Sequence, residues 1–334
     1  MTRVPVLEIG GTHVTAAVVD MTHGVPVADS LVRRPVSADA SAAEILDSFA
    51  AAARHTAAPA DAPWGVALPG PFDYAAGFGR FRGIGKFESL HDVDVGAELR
   101  ERLPSPRTIR FLNDADAFAI GEHHGGAAEK RSRSMCITLG TGVGSSFLLD
   151  GQPVTEGPAV PPDGRAHRIT VDGLPLEEVI SRRAIRTRYA RAAGLARRSR
   201  GPDVSDIAAL ARTGDLRAAA VILECFGTLG RALAPWCGAF RADVMVVGGS
   251  MAASWDLIGP ALRKGLTTAA EAAGHEVAAV IAAMDLRTAK RPHDAPLIGA
   301  AHWALERRPQ GEGRETGVVA PRPAPVDSGC VAPP

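Results

Sequence analysis

Short apolar runs rich in β-branched residues alternate along this chain with longer stretches whose apolar positions recur at helical spacing, and that alternation predicts a mixed α/β protein. Val4–Leu7 and His13–Val19 read as two strands joined by the turn Glu8-Ile9-Gly10-Gly11-Thr12, a hairpin by pattern. Ser41-Ala42-Ala43-Glu44 has the spacing of a capping box, and the alanine-rich run behind it predicts a helix to Ala57. Trp64–Leu68 returns to a strand that ends in the loop Pro69-Gly70-Pro71. From Phe72 to Leu90 no period survives, and the expectation is an irregular segment lying over a cleft, outside the core. Val93–Leu103 predicts a helix and Thr108–Leu112 a strand. Asn113 and Asp114 are then exposed at its carboxyl end, with a helix over Ala115–Glu122.

Farther on, a glycine-bearing basic loop over Gly125–Arg133 leads to strands at Met135–Leu139 and Phe147–Asp150, separated by Gly140-Thr141-Gly142-Val143-Gly144-Ser145-Ser146. His167 precedes the strand-like Ile169–Val171. Leu176–Ile180 opens one helix that turns basic toward Arg200, and Ser205–Leu233 predicts another, with Asp206 in its first turn. Val244–Val247 is a buried strand ending in Gly248-Gly249-Ser250, before a helix over Trp255–Leu266. Val277–Met284 predicts a short strand, and Ala295–Glu306 a helix with Pro296 near its start, where helices tolerate proline. Residues 307–334, rich in Pro, Gly and charge, read as a disordered tail.

At 334 residues the chain exceeds the usual size of one compact domain, so two lobes are expected. Basic and acidic residues both total 37 with no basic block to suggest a nucleic-acid footprint, so no nucleic-acid partner is expected. Cys136, Cys225, Cys237 and Cys330 lie far apart without a C-x-x-C pair; this argues against a zinc knuckle or a disulfide framework and for reduced, mostly buried thiols. No leader pattern and no unbroken apolar stretch of membrane-spanning length occurs, and the expectation is a soluble cytoplasmic protein with no membrane partner.

Four features carry candidate chemistry. Asp114, at the carboxyl end of a strand where open α/β sheets place ligands, could accept a proton from a substrate hydroxyl, or Asn113 and Asp114 could simply cap the following helix. Gly10-Gly11 lets backbone approach an anion closely and Thr12 adds a hydroxyl, yet a plain hairpin turn reads the same way. Gly140-Thr141-Gly142-Val143-Gly144 is spaced G-x-G-x-G and followed by a strand, which rules out a dinucleotide fingerprint and suits a polyphosphate cradle or an ordinary glycine-rich hairpin. Gly248-Gly249-Ser250 between strand and helix could hold a nucleotide's sugar or α-phosphate. His167 can be structural, and Glu177 and Glu178 can serve the helix dipole alone.

Together these motifs, over about residues 4 to 306, resemble the ROK family, whose name joins repressors, uncharacterised reading frames and sugar kinases. Glu8-Ile9-Gly10-Gly11-Thr12 is similar to its first phosphate motif, Ala67-Leu68-Pro69-Gly70-Pro71 to its sugar-side loop and Asn113-Asp114-Ala115-Asp116 to its catalytic motif. Leu139–Gly144 resembles its second phosphate motif, Val247–Ser250 its adenosine motif and Leu297–Ala301 its closing helix. The resemblance implies a sugar kinase/actin-like (ribonuclease H-like) two-lobed α/β fold. Residues 1–114 plus 293–306 would form the smaller lobe and 115–292 the larger, with the active site in the cleft. It implies ATP with Mg²⁺, Asp114 as general base toward a primary, 6-type hydroxyl, and Gly70, Asn113, His167 and Glu177 as sugar contacts. Gly10, Gly11, Thr12, Gly140, Thr141, Gly142, Gly144, Gly248, Gly249 and Ser250 would hold the nucleotide, in a homodimer.

The chain departs from the pattern at three places. Glu8 stands where the family has an aspartate that helps to hold magnesium through water, and Gly164 where it has a sugar-binding glutamate. The zinc-binding cysteine cluster after the histidine is missing, with Pro175 at one of its positions, so no structural zinc is expected. Losing a sugar-binding carboxylate changes which hydroxyls are recognised, which makes an amino sugar or cyclitol as plausible an acceptor as glucose. Gly70–Tyr74 and Gly85–Glu88 are similar to kanosamine and C7-cyclitol kinases of antibiotic pathways. The family's repressor branch places a DNA-binding domain ahead of the kinase-like body, and a first strand by Val4 leaves no room for it. A non-catalytic sugar-binding regulator is the other reading; Glu8 favours it, and Asp114 with both phosphate turns opposes it.

Overall fold

The computed structural model describes residues 2–195 and 201–306. β1 (Arg3–Ile9) and β2 (His13–Asp20) form the antiparallel hairpin that the apolar alternation predicts, closed where Gly10 N–H donates to His13 O at 2.8 Å. β3 (Val25–Pro26) and β4 (Val32–Pro35) pair with β2. α1 (Ala42–Ala53) starts at the Ser41/Glu44 capping box and buries Ile45, Leu46 and Phe49. β5 (Pro63–Leu68) is buried throughout and runs parallel to β1. The β6 (Phe72–Asp73) and β7 (Phe78–Gly79) hairpin and α2 (Val95–Arg102) precede β8 (Thr108–Asn113), which joins β5 in parallel.

α3 (Asp114–His123) leads to β9 (Arg133–Leu139), β10 (Val143–Leu149) and β11 (Gln152–Pro153), paired antiparallel in succession. A small hairpin, β12 (Thr170–Val171) and β13 (Leu174–Pro175), is followed by α4 (Leu176–Ile180), α5 (Arg182–Ala192), α6 (Val204–Arg212) and α7 (Leu216–Phe240). β14 (Val244–Gly248), α8 (Trp255–Ala273), α9 (His275–Ala283), β15 (Asp285–Thr288) and α10 (Ala295–Leu305) complete the described chain. The two main sheets, ordered β3-β2-β1-β5-β8 and β11-β10-β9-β14-β15, repeat one plan: a hairpin whose first strand is extended by two parallel strands. α3 and α10 pack on each other between them. α3 lies against β9 and β10, α10 against β1, β5 and β8, and one apolar cluster takes Val4, Ala117, Cys136, Val244 and Leu297 from both halves.

Several local expectations give way. The aperiodic Phe72–Leu90 segment is core: Phe81 and Phe87 are buried with Phe49, Trp64 and Leu90. Its Gly79 lies so close to the Leu90 carbonyl that a Cβ would be 1.9 Å from that oxygen, so irregular backbone inserts its rings one at a time and no period is written into it. The helix opened at Leu176 stops at Ser181, whose hydroxyl accepts from Ala184 N–H and starts α5; the stretch at 196–200 lies outside the described residues. The helix expected over Ser205–Leu233 breaks at Gly214, with φ +98°, and Asp215 recaps it as α7. Asp206 serves a capping box with Asp203.

Val277–Met284 is not a strand but α9 plus its C-cap, because its alanines favour helix and Val277 fits against Gly238 of α7; the strand follows at β15. α7 is long and apolar enough to cross a membrane by composition, but 61% of that window is buried, and it packs along α8 as a core helix. Cys136, Cys225 and Cys237 are buried free thiols; Cys330 and the 307–334 tail lie outside the described residues.

Where α3 ends, His124 stacks on His302 of α10 at 3.5 Å between centroids and 4° between planes, with His123 edge-on at 5.1 Å. Burial, then the neighbouring imidazoles, hold His302 down to about 4, against an ordinary 6.5. A histidine whose folded pKa is depressed gives its full stability above the unfolded value and loses it as pH falls. Cooling of the melting temperature between pH 7 and pH 4.5 should therefore be steeper in the wild type than in His302→Phe, which keeps the stacking and cannot titrate. The difference should be roughly 1–2 kcal/mol after allowance for partial solvent screening. Equal slopes in the two melting series would remove the histidines from the acid response.

Candidate active site

β8 runs one residue farther than its apolar pattern suggests and ends on Asn113, so α3 starts at Asp114. The expected exposure of this pair is corrected: Asn113 is 8% exposed and Asp114 half-buried, because the strand end is sunk between the two sheets. Asn113 is the N-cap. Its Oδ1 accepts from Ala115 N–H at 3.0 Å and its Nδ2 donates to the Tyr74 hydroxyl at 3.0 Å, which donates to Leu68 O at 3.3 Å. Tyr74 thereby ties the catalytic-type motif to the Gly70 loop, where a Cβ on Gly70 would be 3.3 Å from its hydroxyl. Asp114 Oδ1 also accepts from Ala115 N–H, at 2.9 Å, and among the described residues its other oxygen accepts no hydrogen bond. Burial raises the Asp114 carboxyl above the ordinary carboxylate range, while the Lys86 ammonium and the Arg165 guanidinium pull it back.

Two glycine turns pack against neighbours of this carboxyl. Gly11 underlies the stem of Lys86, whose Cδ is 3.9 Å from where a Cβ on Gly11 would stand, and Thr12 Oγ1 bonds to His13 Nδ1 at 2.7 Å. Gly144 packs against the start of α3: a Cβ there would be 3.2 Å from the Ala115 methyl and 2.3 Å from Thr138 Oγ1. β10 already begins at Val143, so the true turn is Gly140-Thr141-Gly142, bridged by Gly140 N–H to Gly142 O at 3.1 Å. Gly249, at φ +83°, sits on the end of β9, where a Cβ would be 2.3 Å from Leu139 O. Ser250 Oγ comes within 3.9 Å of the Cβ position of Gly140, so Gly248-Gly249-Ser250 and the second glycine turn adjoin.

Glu8 faces Thr15 across the hairpin and takes its side-chain hydrogen bond. Burial raises the Glu8 carboxyl, the Thr15 hydrogen bond opposes it, and the charge of Asp114 raises it again against smaller effects of Arg33 and His293. His167 is half-buried in the single-turn 3₁₀ helix Ala166–Arg168; burial and the cations Arg168 and Arg165 depress it, and Asp114 acts in the other direction. The Glu177 carboxylate, at the start of α4, lies 2.9 Å from the Cβ position of Gly142. Gly164 has φ +68° with Val154 O close behind, which accounts for glycine at this departure from the family pattern. Among the described residues no group of three or more His, Cys, Asp or Glu side chains is placed to hold a metal ion.

Four residues of this neighbourhood carry no role in the sequence reading. Arg165 grips Asp116 of α3 with both guanidinium nitrogens, at 2.7 and 3.0 Å, and donates to Ser145 O at 2.9 Å. The two side chains are 14% and 10% exposed, so this pair ties the His167 loop to the helix that Asp114 begins. Tyr74 and Lys86 are the others; both lie in the segments Gly70–Tyr74 and Gly85–Glu88, and both are rare types here, since the chain has two tyrosines and Lys86 is one of four lysines among 37 basic residues.

The profile of the ROK family matches residues 5–165 and 170–307. A glucokinase from Thermotoga maritima is 26% identical over 267 residues, which cover 74% of this chain and 80% of that protein. Among solved structures, a ROK hexokinase from Thermus thermophilus superposes with a TM-score of 0.69 at 26% identity, covering 90% of this chain and 97% of that one. A ROK family glucokinase from Streptomyces griseus, in complex with glucose and AMPPNP, gives a TM-score of 0.69 at 23% identity over 90% of this chain and 98% of that one, a likeness of fold. The repeated sheet plan is that of the sugar kinase/actin-like architecture.

Proposed function

We propose, from the premise that this chain belongs to the ROK family, that it is an ATP-dependent sugar kinase acting on a primary, 6-type hydroxyl of a hexose, amino sugar or sugar-like cyclitol. The observation that carries this reading is the Asp114 carboxyl, half-buried at a strand end, with one oxygen that has no hydrogen-bond partner among the described residues and with Gly144 packed on the helix start beside it. Asp114 accepts the proton of the acceptor hydroxyl as that oxygen attacks the γ-phosphorus in line, and the bond to the β-phosphate oxygen breaks. Backbone N–H groups of Gly10, Gly11, Thr12, Gly140, Thr141, Gly142 and Gly144 cradle the phosphates, and Gly248, Gly249 and Ser250 hold the adenosine side. Gly70, Asn113, His167 and Glu177 position the acceptor.

Glu8 fits a magnesium ion held through water: it is a carboxylate oxygen donor at the end of β1 beside the Gly10-Gly11 turn, close enough to Asp114 for the two charges to repel. Such an ion supplies neutralisation of the phosphate charge. Two lobes, residues 1–114 with 293–306 and residues 115–292, close over the substrates and exclude water. A cytoplasmic homodimer without structural zinc, serving carbohydrate or antibiotic-precursor metabolism, completes the reading.

Glutamate at position 8, where the family has aspartate, is the one feature that favours a sugar-binding regulator without turnover. A phosphorylation screen of the purified protein with ATP and Mg²⁺ separates the two. The expected result is turnover on at least one of glucose, N-acetylated and free amino sugars, and cyclitols; sugar binding with no phosphate transfer on any of them would establish the regulator instead.

A further inference from the structure

We propose that Lys86 is a catalytic residue that grips the phosphoryl group in flight, its ammonium standing between the Gly10-Gly11 turn and the Asp114 carboxylate. The inference deepens the kinase reading of the cleft and rests on it. The stem of Lys86 lies over Gly11, and its charge is the largest attractive influence on Asp114, so one cation reaches both flanks of the transfer path. Among the described residues its ammonium makes no hydrogen bond and no ion pair, and the side chain is half-buried.

The backbone around Lys86 is built to hold it there. On one side, the Glu88 carboxylate accepts the N–H groups of Gly83, Ile84 and Gly85 at 2.9, 2.7 and 2.8 Å, clamping a loop whose two glycines have φ +70° and +71°. On the other, Phe87 takes φ +56°, a left-handed conformation that is strained for a bulky residue. Its ring is 1% exposed, 5.6 Å from Phe81 and 6.3 Å from Phe49. An ordinary surface lysine needs neither the clamp nor the strained anchor; a lysine that must reach a set point does.

The chemistry asks for such a group. As the acceptor oxygen bonds to the γ-phosphorus and the bond to the β-phosphate oxygen breaks, negative charge spreads over the three equatorial oxygens, and the acceptor proton goes to Asp114. A lysine ammonium carries three donors and a compact charge for those oxygens, and the same charge opposes the upward push of burial on the Asp114 carboxyl.

The test is Lys86→Met, which keeps the length of the stem and removes the charge. Turnover should fall on the order of 10²-fold, the scale for losing one donor to a developing charge, with the acceptor KM within about threefold. Calorimetry should show AMPPNP binding weakened about tenfold and ADP binding unchanged, since only the former carries a γ-phosphate. Lys86→Arg should recover part of both. Turnover within about threefold of wild type, or an unchanged ratio of AMPPNP to ADP affinity, would overturn the assignment. The nucleotide comparison needs no acceptor. If the wild type phosphorylates nothing in the screen, the kinase reading fails by itself and the ratio still decides whether Lys86 meets the γ-phosphate.

Discussion

Asp114→Asn should fold, bind its sugar and melt at nearly the wild-type temperature while losing on the order of 10²- to 10⁴-fold in turnover, the range for a general base. The stability half of this expectation follows from the division of labour at the head of α3. Asn113 already caps the helix, and an asparagine at 114 keeps both the volume and an oxygen for Ala115 N–H. Burial holds the Asp114 carboxyl above its ordinary range, so removing that charge relieves desolvation and breaks no ion pair. The kinetic half follows from chemistry, since an amide cannot take up the hydroxyl proton. Steady-state turnover, thermal melting and sugar titration on the one variant decide between base and cap. Near wild-type turnover in the folded variant would return Asp114 to a structural role, because Asn caps about as well as Asp.

Gly299→Ala should cost roughly 3 kcal/mol or more and lower the melting temperature by about 6–12 °C for a chain of this size. A methyl at Gly299 would stand 1.9 Å from Ala117 O and 2.9 Å from Gly121 N, all backbone, with no flexible side chain to yield. The same closeness recurs at Gly121, 1.9 Å from Ala295 O, and at Gly65, 2.0 Å from Ala300 O, so α10 lies with its backbone on both α3 and β5. Adding one carbon forces α10 off α3, whose first residue is Asp114. Calorimetric melting checks the size of the loss, and a variant melting within about 1 °C of wild type would mean that the helices separate freely.

Much of this was legible in the residues. The β1–β2 hairpin, the α1 capping box, the buried β14 and the glycine turns are local: propensity, period and freedom at φ act within a few positions, so the sequence states them directly. Val277–Met284 was misleading because a short apolar run with two valines suits a strand or a buried helix alike. Packing against α7 and α8 chose the helix. Phe72–Leu90 hid its core residues for a different reason, since side chains buried singly from irregular backbone leave no period.

By itself, then, the sequence determined the β1–β2 hairpin, the α1 cap, the buried β14, the glycine turns and the acid that follows β8, because each of these is a property of neighbouring residues. Only the tertiary structure decided which of them meet. Arg165 finds Asp116 across 49 positions, Tyr74 reaches Asn113 across 39, and Lys86 comes to lie over Gly11. The worth of each such charge or hydroxyl depends on burial supplied by distant elements, and burial is fixed only when both sheets close around α3 and α10.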